Sequence, residues 1–329
     1  MATSRSGPHK QRILLSQRGH ILFHEHARVH VDQGVVVAEI ADDQRAQSFT
    51  LNIPHANTSL LLLGEGTSIT RDAARMLGEQ SVLVGFTGRG ATPLASATGE
   101  AGLIPDFLEG QEAYRPVEDA RAWAQIVLDP QRRLEAAKAL LRHRLDWTER
   151  LWDASEALAD YGLSVQDKKI RQARQRFEQA IREAEDETDL LAAEGRYAQA
   201  VYAYCADCLL ETDDFQRTPA GTDKATLNGQ ANQFLDHGNY LIYGAAAVSL
   251  HAIGIPLGFA ALHGKTRRGG MVFDLADLFK DGLSVPQAMR CAREGYSEGR
   301  FRHELVEQIQ HQALIREGIE ALREVMAQC

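Results

Sequence analysis

The chain has 329 residues, 44% of them hydrophobic and 25% charged, and a net charge of −9 at neutral pH. This is the make-up of an ordinary globular protein with room for two domains and a sizeable core. It excludes a protein that coats nucleic acid with its whole surface, and no apolar run nears the ~18–20 residues that span a bilayer, so no membrane partner is expected. The opening MATSRSGPHKQR lacks the apolar core of a secretory signal. Four cysteines (Cys205, Cys208, Cys291 and Cys329) are too few and too unpatterned for a disulfide framework, which predicts a reducing, cytoplasmic setting. Cys205 and Cys208 form a CxxC with no second pair, in a helical stretch; two thiols on one helix face are expected there, not zinc.

The first hundred residues read as β-rich. Ile21 to Val31 alternates as one strand, Asp32-Gln33-Gly34 turns the chain into Val35-Val36-Val37, and Ser48 to Ile53 is a further strand ending at Pro54. Leu60 to Leu63, closed by Gly64, predicts a strand buried on both faces. Thr67 to Thr70 caps a short helix carrying Ile69, Ala73, Met76 and Leu77, and Ser81 to Phe86 is another buried strand. The intervening GEGTS has neither the Walker lysine nor GxGxxG spacing, so tight packing accounts for its glycines better than a nucleotide does.

Pro105, Gly110 and Pro116 break any pattern, and 105–116 reads as a linker between a β-rich domain, 1–104, and an α-helical domain, 117–329. Helices are predicted at about 117–129, 131–157, 165–186, 188–210, 230–252, 274–282, 284–294 and 299–327, with Trp147 and Trp152 anchoring the core. The cations Arg132, Arg133, Lys138, Arg142, His143 and Arg144 read as a solvated helix face. The fold class is α+β: a β-rich N-terminal domain followed by a larger all-α one.

The richest chemistry lies in LHGKTRRGGMVFDLADLFKD, Leu262 to Asp281. Asp274 and Asp277 are three residues apart, so on a helix they share a face that His263 can meet, with Lys265, Arg267 and Arg268 beside them to meet phosphate. That layout suits a divalent metal beside a phosphodiester. Taken alone, the pair also resembles a helix start, with Asp274 as N-cap and Asp277 as the acid at the third position. A third ligand is offered by Glu194, a carboxylate on an otherwise apolar helical stretch, which can face either the core or solvent. In NQFLDHGNYLIYG, Asn232, His237, Asn239 and Tyr240 form a polar island able to donate to phosphate oxygens or orient a ligand, or to serve as an internal network at a helix start.

LLLGEGTSITRDAARMLGEQSVLVGFTGRGATPL, AYRP, NQFLDHGNYLIYG and LHGKTRRGGMVFDLADLFKD together resemble the CRISPR-associated integrase of spacer acquisition, the Cas-one family, in its type I-F branch. The resemblance runs from about Arg12 to the C-terminal helix. It implies an N-terminal β domain that dimerises and a helical catalytic domain. It also implies a Mg²⁺ or Mn²⁺ site on Glu194, His263 and Asp277, with Asp274 as an accessory acid and Lys265, Arg267 and Arg268 near the DNA backbone. The implied activity is metal-dependent DNA cleavage and strand transfer, joining spacer 3′-hydroxyls to a CRISPR repeat by transesterification. The implied partners are spacer ends and repeat DNA, a second copy of the chain, and the Cas-two protein, fused in this branch to Cas-three. A stand-alone mobile-element integrase and a catalytically silent DNA scaffold are the alternatives.

Overall fold

The computed structural model describes residues 18, 20–42, 47–87, 93–96, 117–212, 215–218, 226–264 and 269–329. The predicted linker, 105–116, and Lys265, Arg267 and Arg268 lie outside the described residues. Among those described, a β-rich part is followed by a mostly helical one, as the α+β class predicts.

Among the described residues, two four-stranded sheets make up the β part. In the first, β1 (His20–His24), β5 (Thr58–Leu63) and β7 (Leu83–Thr87) run parallel, and β8 (Pro93–Ser96) is antiparallel to β7. The second has β4 (Gln47–Asn52), β3 (Val35–Asp42), β2 (Ala27–Asp32) and β6 (Ser68–Ile69) in that order. The single strand predicted over Ile21–Val31 is two strands in different sheets, because the chain turns between them, with His26 at φ +49°.

Side-chain alternation along β5 joins the parts. Leu61 and Leu63 enter a small core with Val29, Val36, Ile53 and Leu77 of α1 (Arg71–Glu79), while Leu60 and Leu62 enter the large helical core. All six residues of β5 are buried, the two-faced burial that the leucine run predicts. Thr70 caps α1 by accepting from the Ala73 amide, also as expected.

The helical part comprises α2 (Glu118–Leu128), α3 (Pro130–Asp153), α4 (Glu156–Ala159), α5 (Lys168–Glu183), α6 (Glu187–Leu210), α7 (Leu227–Ala252), α8 (Gly270–Lys280), α9 (Ser284–Arg293), α10 (Glu298–His311) and α11 (Leu314–Gln328). Two predicted helices are broken. The 131–157 segment ends at Asp153, and Ser155 caps a new short turn. The 299–327 segment splits at Ala313, whose φ of +50° turns the chain so that α10 reaches β1 and α9 while α11 lies on α2, α3 and α7. Neither break carries Gly or Pro, so no breaker announces it. Trp147 and Trp152 are core anchors as predicted: Trp147 packs edge-on against Phe279 at 5.0 Å, and Trp152 donates to the Asp281 carbonyl at 3.0 Å. Both contacts fix α8 against α3. Cys205 and Cys208 sit as free thiols on α6, Cys205 buried. No described helix is long and apolar enough to cross a membrane.

Candidate metal centre

Three elements supply the centre: α6 brings Glu194 from far back in the chain, the loop after α7 brings His263, and α8, which follows that loop, brings Asp274 and Asp277. Each acid lies on an apolar stripe. Glu194 follows the buried Leu190 and Ala193 and precedes Tyr197 and Val201, and Asp274 and Asp277 alternate with Met271, Leu275 and Leu278. Burying those stripes carries the carboxylates inward with them.

The expectation of Asp274 as an N-cap is corrected. The helix begins a turn earlier, after Gly269, and Asp274 is an interior, fully buried residue. Its Oδ2 accepts from the amides of Ala261 (2.6 Å) and Leu262 (3.0 Å). Its Oδ1 accepts from the His263 amide (3.0 Å) and lies 2.7 Å from His263 Nδ1. One carboxylate thus folds the loop and holds the imidazole, placing the proton on Nδ1 and presenting Nε2 to the centre. Trp123 pins the same loop from α2 by donating to the Phe259 carbonyl at 2.7 Å. The loop then meets α8 closely: a Cβ on Gly270 would stand 2.7 Å from the His263 carbonyl oxygen.

His263 Nε2 faces Glu194 Oε2 at 3.6 Å and Asp277 Oδ2 at 4.0 Å. Glu194, His263 and Asp277 each offer one ligand atom, and these atoms all lie within 4.8 Å of one another. Arg144 of α3 donates from Nη1 to Glu194 Oε1 at 2.7 Å and from Nε to Asp281 Oδ2 at 2.6 Å. Lys280 pairs with Asp277 one turn along α8.

Burial opposes ionisation of Glu194, but the His263 hydrogen bond and the Arg144 charge outweigh it and hold the carboxyl well below its usual range. Asp277 is pushed up, by burial and by the Glu194 charge. For His263, burial disfavours the cation, yet hydrogen bonds to Asp274 and Glu194 and the charges of Asp274 and Asp277 raise its pKa to about 10. The cause is shared: Glu194, Asp274, Asp277 and Asp281 face two permanent cations, Arg144 and Lys280. A protonated His263 halves that excess of negative charge, and a divalent ion would cancel it. Asp277 Oδ1 is buried and pairs with Lys280 Nζ, while Oδ2 faces His263. The donor set, two carboxylates and an imidazole, suits a hard or borderline divalent cation, so the residues fit a metal.

The polar island on α7 divides. His237 and Asn239 are buried, and Asn239 accepts from Ser284 Oγ of α9 at 2.8 Å. Asn232 staples the segment before α7 by donating to the Gln216 carbonyl and accepting from the Thr218 amide. Tyr240 is half-buried and packs edge-on against Tyr243. Arg144 corrects the solvated-face reading, being 2% exposed. It falls in the stripe Ala137, Leu140, Leu141, Thr148, Leu151, a periodicity that could have revealed it. Lys280 and Asp281, at the end of the His263 segment, were also missed as members of the site.

The family described as CRISPR associated protein Cas1 matches residues 21–302. A CRISPR-associated endonuclease Cas1 of Pseudomonas aeruginosa is 39% identical over 313 residues, 95% of this chain and 94% of the relative. Its namesake in Pectobacterium atrosepticum is 38% identical over 315 residues, with the same two coverages. Among solved structures, a casposase bound to an integration product has a TM-score of 0.71 at 13% identity, covering 94% of this chain and 91% of that one, a likeness of fold. With most of its length matched by the family and two relatives above 30% identity from end to end, this chain belongs to the Cas1 family of CRISPR-associated proteins.

Proposed function

We propose that this chain is a divalent-metal-dependent DNA endonuclease and integrase of CRISPR adaptation, in the type I-F manner, joining the 3′-hydroxyl ends of a spacer to the edges of a repeat. Glu194, His263 and Asp277 would hold Mg²⁺ or Mn²⁺. When bound, the ion would polarise the scissile phosphate and stabilise charge on the leaving oxygen. The observation that carries the reading is the convergence of those three side chains, each with a ligand atom within 4.8 Å of the other two.

The chain's own residues hold and charge the site. Asp274 acts as a positioning residue, because its four contacts fix the loop and the His263 ring. Lys280 adds a cation beside Asp277, where phosphate charge would gather. Lys265, Arg267 and Arg268 follow His263 directly in sequence, and we assign them to the DNA backbone. Among the described residues, those lining the pocket beside His263 and Asp277 include no serine or cysteine, which agrees with direct transesterification. The attacking 3′-oxygen forms a new P–O bond as the repeat's own P–O3′ bond breaks; the attacking hydroxyl loses a proton and the leaving oxygen gains one. One diester replaces another, so no external energy donor is needed. With water as the attacker, the same centre would cut DNA.

Two spacer ends must be joined at two separated repeat edges, so two centres held apart are required. This supports a homodimer through the β-rich domain, 1–104, with 105–116 as linker and 117–329 as catalytic domain. Cas-two, as a fusion with Cas-three, would act as the spacer between dimers in the cytoplasm. The endonuclease names of the two similar relatives support the CRISPR setting over a stand-alone mobile-element integrase.

The test is strand transfer on a branched DNA substrate with Mn²⁺, Mg²⁺ or chelator, comparing wild type with His263→Ala. Metal-dependent joining that disappears in the variant is expected. Wild-type protein that binds the DNA yet makes no product with either metal, even with Cas-two supplied, would return the chain to a silent scaffold.

A further inference from the structure

Glu194 does not reach the centre unaided. Its carboxylate has two oxygens with different tasks: Oε1 accepts from Arg144 Nη1 at 2.7 Å, and Oε2 faces His263 Nε2 at 3.6 Å. Arg144 is itself held at a second point, Nε to Asp281 Oδ2 at 2.6 Å, and both of these partners are almost wholly buried, with side chains 3% and 4% exposed. Asp281 is fixed in turn, since its carbonyl accepts from Trp152 Nε1 at 3.0 Å. The guanidinium also lies over the Tyr197 ring, 5.8 Å from its centroid and one helical turn beyond Glu194. A planar fork held on two sides cannot rotate as a lysine ammonium can.

Resting on the metal reading of this centre, we propose that Arg144 and Asp281 are positioning residues for the metal. The Asp281-anchored guanidinium occupies Glu194 Oε1, sets that side chain's orientation, and leaves Oε2 as the one oxygen free to bind the ion. Asp281, four residues beyond Asp277 and turned toward Arg144, is then a brace and not a ligand. The brace also links α3, α6 and the end of α8, so the geometry of Glu194 relative to Asp277 is set by a contact outside the ligand set. Groups that orient metal ligands in this way typically change affinity by about 10–100-fold when replaced.

The experiment measures Mn²⁺ affinity of the full chain by electron paramagnetic resonance, alongside the thermal midpoint and strand transfer as a function of Mn²⁺ concentration. The proteins are wild type, Arg144→Lys, Asp281→Asn and Glu194→Ala. Arg144→Lys keeps the charge and loses the fork. The expected result is Mn²⁺ binding weakened about tenfold or more in Arg144→Lys, with strand transfer recovering as Mn²⁺ is raised to saturation. Asp281→Asn should shift affinity in the same direction while keeping Arg144. A purely structural arginine would lower the thermal midpoint of Arg144→Lys and leave Mn²⁺ affinity at the wild-type value, and that result overturns the proposal. If Arg144→Lys does not fold, Asp281→Asn decides by the same criterion. Failure of the underlying metal reading looks different: wild type and Glu194→Ala would then bind Mn²⁺ alike.

Discussion

At the scale of single residues, the centre depends on how few polar atoms are left over. Asp274 accepts three backbone amides and faces an imidazole nitrogen, all from one short loop. Asp274→Asn keeps the shape but turns an NH₂ toward groups that are already donors. We expect it to lower the thermal midpoint and to weaken Mn²⁺ binding about 10–100-fold, read by titration with the metal alone. The metal should also act as a stabilising ligand. At a Mn²⁺ concentration 100 times its dissociation constant, wild type gains about 2.7 kcal/mol, visible as a raised thermal midpoint that chelator reverses. His263→Ala should show little of that gain; an equal rise in the variant would put the ion elsewhere.

At the scale of elements, two backbone positions matter. Gly270, the first residue of α8, approaches the His263 carbonyl so closely that a Cβ would stand 2.7 Å from the oxygen, a backbone atom that cannot step aside. Gly270→Ala must therefore push the His263 loop off α8, breaking the Asp274 contacts. It should abolish strand transfer while circular dichroism still reports the helices. Ala313 presents the opposite case: it holds φ +50° between α10 and α11, a region costly for a residue with a Cβ. Ala313→Gly should stabilise the protein by up to about 1 kcal/mol in chemical denaturation, and a loss of stability would mean that the methyl's contacts outweigh the backbone cost.

At the scale of the whole molecule, β5 couples the β part to the helices because its leucines feed two cores. Leu62→Ala, on the helix-facing side, should cost about 2–5 kcal/mol of stability by denaturant titration. It should leave Mn²⁺ affinity unchanged, since none of Glu194, His263 and Asp277 comes from a strand. The centre is built at the opposite extreme of chain separation: Arg144 meets Glu194 across 50 positions and Asp281 across 137. Only after α3, α6 and α8 have packed do these charges find one another.

That separation marks how far the sequence could be read. Hydrophobic period located most elements, since a helix or strand must bury its apolar stripe whatever its neighbours are: the leucines of β5, the Thr70 cap and the bulk of α6 and α7 all follow from local pattern. The spacing of His263, Asp274 and Asp277 also declared a site, because those residues are close in the chain. Tertiary structure alone decided the rest. A charge on a helix is written identically whether its face meets water or core, so Arg144 read as solvated and Glu194 as undecided until packing buried the arginine with a half-buried Glu194 against it. Asn239 reads as a phosphate donor by local pattern, and only packing buries it with Ser284 of α9 donating to its Oδ1. The turns at His26 and Ala313 carry no glycine because the packing of sheets and helices, not local preference, imposes them. Local pattern fixed which segments fold; the burial of charge, which makes the centre, is a property of the assembled core.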